Sequence, residues 1–186
     1  MIETIVTYDN IISPSLCDRI IHVVKNKINM SSLNMDDNRS SHMTGLLLDE
    51  HGETGQQLAQ VCLNSIHEKT VDYLQRYPSL PLKPDDIYCT GVFVTGSSFE
   101  TLKDKYFIHD QELLSRNIVS WYLFLSDNNE DNVGGEIEFS MFNKRINPSK
   151  GRLVLFPTGI PYVYHTLSTT KGSLYKASGR ISILAR

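Results

Sequence analysis

The chain has 186 residues, is 40% hydrophobic, and carries a net charge of -3 with a pI near 6.0. That apolar content supports one packed domain and excludes a disordered chain. No block of basic residues occurs, which argues against nucleic-acid binding driven by phosphate neutralisation.

The N-terminus, Met1-Ile2-Glu3-Thr4-Ile5-Val6, lacks a charged region followed by a long apolar run, and no stretch is long enough to span a bilayer. The expectation is a soluble, cytoplasmic protein with no membrane partner. Residues 2–7 read as a short strand. Ser13 before Pro14 is a helix start, with an N-cap and a proline at the first helical position. Leu16, Ile20, Val23, Val24 and Ile28 recur at helical spacing and predict a helix over 14–28. Residues 29–45 are polar, show little periodicity and read as a long loop. A second helix is predicted from Thr54 to Arg76 on the stripe Leu58, Val61, Cys62, Ile66, Thr70, Tyr73 and Leu74, and Pro78, Pro81 and Pro84 end it.

From Ile87 the pattern changes to short apolar runs separated by turn residues. Strands are predicted near 87–95, 105–110, 117–126, 136–140, 144–147, 152–156, 162–167 and 179–185. The polar, glycine-containing segment Thr169 to Ser178 reads as a loop. Short strands after two helices predict a mainly β fold with α: a double-stranded β-helix, or jelly roll, with the N-terminal helices packed outside. The chain is then a single domain, with a helical support region over 1–86 and the β-helix core over 87–186.

Cys17, Cys62 and Cys89 are far apart and odd in number, with no C-x-x-C pair. They read as small core hydrophobes in a reducing compartment. Of the six histidines, His22 and His67 fall within predicted helices, His51 in a turn and His42 in the polar loop. His109 and His165 differ, because each lies on or at the end of a strand of the same β unit. Two histidines and one carboxylate on one face are the ligand set of non-haem iron. Arg180 and Ser182, two apart on a strand, point to one face, where a guanidinium and a hydroxyl can grip a small dicarboxylate.

Several motifs extend this pattern. They are Asp9-Asn10-Ile11-Ile12 followed by Cys17-Asp18, then Tyr122-Leu123-Phe124-Leu125-Ser126-Asp127 with Gly134-Gly135-Glu136-Ile137-Glu138-Phe139. Next come Pro148-Ser149-Lys150-Gly151-Arg152-Leu153-Val154-Leu155-Phe156-Pro157, His165 and Arg180-Ile181-Ser182. In this order they resemble the iron(II)- and 2-oxoglutarate-dependent dioxygenases, in particular the prolyl-4-hydroxylase-like branch. The resemblance runs through most of the chain. It implies Fe(II) and 2-oxoglutarate as cofactors, molecular oxygen as co-substrate, and an amino acid, peptidyl residue or small metabolite as the hydroxylated substrate.

It also implies site residues. His165 matches the distal histidine. The proximal His-x-Asp has two possible counterparts. In one, His109-Asp110-Gln111 supplies His109 with Asp110 or Gln111 as third ligand. In the other, Leu102 stands in place of the histidine and Asp104 keeps the carboxylate. Arg180 with Ser182 matches the Arg-x-Ser that holds the far carboxylate of 2-oxoglutarate. Lys176, eleven residues after His165, is the competitor, and the loop reading of 169–178 favours Arg180. The alternative function is a metal-free jelly-roll binding protein with a degenerate iron site; a cupin-like metal isomerase is a third.

Overall fold

The computed structural model describes residues 3–31, 43–78, 82–98, 117–129 and 133–183. The predicted strand near 105–110 and most of the predicted loop over 29–45 lie outside them. The chain folds as a double-stranded β-helix with two helices packed on its outside. Strand β1 (Val6–Tyr8) leads to α1 (Pro14–Ser31), and the Leu16 amide donates to Ser13 Oγ, so Ser13 caps the helix as its position before proline predicts. After β2 (Met43–Leu47) comes α2 (Gly52–Leu74). The strands then follow: β3 (Ile87–Ser98), β4 (Asn117–Phe124), β5 (Val133–Gly134), β6 (Ile137–Phe139), β7 (Lys144–Ile146), β8 (Leu153–Pro157), β9 (His165–Thr166), β10 (Thr169–Lys171) and β11 (Ser173–Ile183).

The large sheet has the order β1-β8-β4-β11-β3-β2, opposed by a small sheet of order β7-β6-β9 and by the pair β10-β5. The first 86 residues therefore do more than supply helices, since β1 and β2 form the two edges of the large sheet. The segment 169–178 is not a loop. Apart from Gly172 its residues lie in β10 and β11, and β11 pairs along its length with β3 and over Lys176–Ser182 with β4. Polar residues there satisfy a strand whose neighbours supply the apolar cover.

Alternation along the central strands makes two cores. Val119, Trp121, Leu123, Leu153, Leu155, Ala177 and Ile181 face the helices and pack with Cys17, Ile20, Val24, Leu58, Cys62 and Ile66. Their neighbours Tyr122, Phe124, Val154, Phe156 and Leu174 face the other way, into the barrel, against Ile137, Phe139, Ile146 and Tyr164. Both faces of the sheet are buried, so its strands read as continuous apolar runs rather than as alternating ones. All three cysteines are free thiols, with pKa values pushed up by burial. No helix among the described residues is long and apolar enough to cross a membrane.

The motifs around Asp9 and Lys150 meet at one junction. Arg152 donates to both carboxylate oxygens of Asp9, Lys150 Nζ donates to Asp18, and the Ile11 amide donates to the Gly151 carbonyl. These residues tie β1 and α1 to the turn before β8. The Gly-Gly turn has a steric cause. Gly134 has φ +98, and a Cβ there would lie 2.4 Å from the Ser168 carbonyl oxygen.

Candidate functional site

Among the described residues, Lys176 is the buried cation of the barrel interior. Lys176 sits on β11, is 4% exposed, and faces the aromatic core with Leu174 because residues two apart share a face. Its Nζ donates to Thr166 Oγ1 at 3.0 Å and lies 4.8 Å from the centre of the Tyr122 ring. Thr166, from β9, and the Tyr122 hydroxyl, from β4, are 3.3 Å apart. Burial pushes the Lys176 amine down from 10.5 to about 7 and the Tyr122 phenol well up. The amine thus stands where desolvation disfavours its charged form. The wall around it is aromatic: Tyr122 lies 5.2 Å from Phe124 and 6.0 Å from Tyr164, and Phe156 lies 5.2 Å from Tyr164.

Arg180 is also on this face of β11, half-buried and two pleats further along, close enough to Tyr164 to influence its phenol. Ser182 is buried, and its hydroxyl donates to Asn117 Oδ1 at the start of β4. The proton that a Ser182–carboxylate contact would use is already engaged. Sequence reasoning did not find Tyr122 and Thr166 as partners of Lys176. Tyr122 carried a signal in its alternation with Ser120 and Phe124; Thr166 carried none beyond standing next to His165.

His165 opens β9, directly opposite Glu138 of β6. Its Nε2 lies 2.8 Å from Glu138 Oε2, and Arg145 of β7 donates to the other oxygen at 2.9 Å. The Arg145 hydrogen bond leads the interactions that hold the Glu138 carboxyl below its ordinary value. Ile137 and Phe139, on either side of Glu138, point into the barrel, so Glu138 and its partner His165 stand on the outer face of the small sheet. The neighbours Tyr164 and Thr166 point inward. His165 and Lys176 therefore lie on opposite sides of the barrel wall. His109, Asp110 and Gln111, with Leu102 and Asp104, lie outside the described residues. Among the described residues no group of three or more His, Cys, Asp and Glu side chains converges on a metal position.

An apolar cavity of about 410 Å³ exists elsewhere, between the end of α2 and the sheet, lined by Tyr73, Leu74, Tyr77, Ile118, Pro157 and Ile183. It lies on the helix side of the sheet, away from Lys176.

No family model matches the sequence, and no curated protein matches it. Solved structures do match. The viral collagen prolyl hydroxylase of Paramecium Bursaria Chlorella virus-1, solved as a 2OG complex, shares 19% identity over 98% of this chain and 97% of its own, with a TM-score of 0.64. The architecture is that of the prolyl 4-hydroxylases. A Trichoplax adhaerens prolyl hydroxylase, solved with a hypoxia inducible factor peptide fragment, superposes at a TM-score of 0.68 and 14% identity, over 97% of this chain and 84% of that one. A Pseudomonas putida prolyl-4-hydroxylase gives 0.63 and 15%, over 98% and 94%.

Proposed function

We propose that this protein binds 2-oxoglutarate inside the barrel and uses it as an oxygenase acting on an amino acid, a peptidyl residue or a small metabolite. The observation that carries the reading is Lys176. A buried amine set beside the Thr166 hydroxyl and the Tyr122 ring can accept a carboxylate, and 2-oxoglutarate brings one of the right charge. Lys176 would hold the far carboxylate, with Thr166 and Tyr122 as the hydroxyl partners that orient it. This replaces the assignment to Arg180 and Ser182, whose position nearer Tyr164 and bond to Asn117 suit them less. The aromatic wall of Tyr122, Phe124, Phe156 and Tyr164 would exclude water and strengthen the ion pair. Iron(II), when bound, would supply the oxidising chemistry of this class, in which 2-oxoglutarate, molecular oxygen and the substrate C–H give succinate, carbon dioxide and the hydroxylated product.

The fit differs between the two cofactors. The Lys176 cluster fits the dicarboxylate. Of the iron ligands that the resemblance implies, His165 lies among the described residues, and it is turned to Glu138. That orientation favours a second reading, a binding protein that holds the dicarboxylate without turning it over.

Calorimetric titration with 2-oxoglutarate, followed by succinate detection in air with iron(II) and proline-containing peptides or free amino acids, separates these readings. Binding with iron-dependent succinate release supports the oxygenase. Binding with no release under any substrate leaves the binding protein. No binding to the wild-type protein rejects both.

A further inference from the structure

Strand parity at β9 points to a role for His165 that the resemblance does not contain. We infer that His165 is a clasp across the three strands of the small sheet rather than a metal ligand, and that the dicarboxylate seat at Lys176 works without a metal on this wall. The second half rests on the reading of Lys176 as the seat; the first half stands on geometry alone.

Along β9 side chains alternate between the two faces of the sheet. Tyr164 and Thr166 face inward, Tyr164 in the aromatic core and Thr166 bonded to Tyr122 and Lys176. His165 between them must face outward, and it meets Glu138 at 2.8 Å. Glu138 in turn is bound by Arg145, so one carboxylate links β9, β6 and β7. Bringing the imidazole inside requires a one-residue slip of β9, and a slip of that size turns every side chain of the strand over. It would expel Tyr164, 7% exposed, and remove Thr166 from Lys176. The position beside the amine is therefore held by a hydroxyl, which hydrogen-bonds a carboxylate and is a poor metal donor.

The test uses the full chain and its His165→Gln, Glu138→Gln and double variants. Cobalt(II) serves as the metal probe, read by visible absorption, and 2-oxoglutarate is titrated with and without EDTA. His165→Gln should leave cobalt affinity and 2-oxoglutarate Kd within about twofold of wild type, and EDTA should leave that Kd unchanged. Each single variant should lower Tm by up to about 4 °C, the scale of one part-buried hydrogen bond in a domain of this size. The double variant should lose less than the two singles together, as coupled partners do. Loss of a wild-type cobalt site in His165→Gln, or additive losses of Tm, overturns the clasp. Loss of 2-oxoglutarate binding in EDTA overturns metal independence. A wild-type protein that binds no 2-oxoglutarate, with or without cobalt, instead sinks the reading of Lys176, while the Tm cycle still tests the clasp.

Discussion

Lys176 is where chemistry and burial conflict most sharply. Replacing it by methionine keeps the volume and removes the charge, so Lys176→Met should keep or raise Tm while weakening 2-oxoglutarate binding about 30-fold or more, the scale of a lost partner in a buried charge pair. Arg180→Ala should cost much less; calorimetry on the two variants side by side checks the order, and the reverse order returns the seat to Arg180. Protons give a second handle. Because burial lowers the Lys176 pKa to about 7, the native state sheds a proton that the unfolded chain keeps up to its ordinary value of 10.5. Across that window this residue's contribution to stability rises with pH, and below about 7 the window closes because both states hold the proton. A bound carboxylate favours the charged amine, so ligand binding takes up a proton there. The 2-oxoglutarate affinity should fall as pH rises from about 7 to about 9, and stay flat in Lys176→Arg, whose guanidinium remains charged. A flat profile in the wild type would show that Lys176 is not the titrating partner.

At the scale of elements, β11 carries the proposed seat. Its even-numbered residues from Leu174 to Ser182 line the barrel, while Ala177, Gly179 and Ile181 pack toward the helices. Gly179 lies opposite Trp121 in the β4–β11 register, and a Cβ there would stand 2.5 Å from the indole ring. The strand passes over the largest side chain of the outer core only because position 179 has no side chain. Gly134 plays the matching part at the end of β5, where positive φ and the Ser168 carbonyl both exclude a side chain. Gly134→Ala should destabilise by roughly 1–3 kcal/mol, the scale of a strained backbone position, and urea denaturation of the two proteins measures it. The prediction fails if the midpoints coincide. Substitution at Gly134 should leave 2-oxoglutarate affinity largely unchanged, because Lys176 and Thr166 are held by other strands.

The whole molecule is one large sheet buried on both sides, with helices on the outer face and the small sheet closing the barrel on the inner one. Phe139 joins the two sheets, with its ring centre 5.0 Å from Phe156 and 5.6 Å from Tyr164. It is fully buried, so Phe139→Ala should cost about 3–5 kcal/mol, as large-to-small changes in cores do. A melting temperature within a few degrees of wild type would mean that the small sheet contributes little to the core. What the sequence by itself determined was the class of element and the order of parts. Helical spacing from Leu16 to Ile28, the Ser13-Pro14 start and the change of period at Ile87 are local signals, and the helices and the β-rich half follow from them. The motifs from Asp9 to Arg180 carried the resemblance whose fold the solved prolyl hydroxylases share. Only the tertiary structure decided which face each strand residue occupies. In β9, His165 and Thr166 are adjacent, and either could face inward on the sequence alone. The burial of Ile137 and Phe139 turns Glu138 outward, and cross-strand pairing carries His165 with it. The polar run over 169–178 misled for the same reason. Its lysine is inside, and a strand with a buried charge looks like a loop until the hydroxyls and rings that surround that charge are brought from β4 and β9.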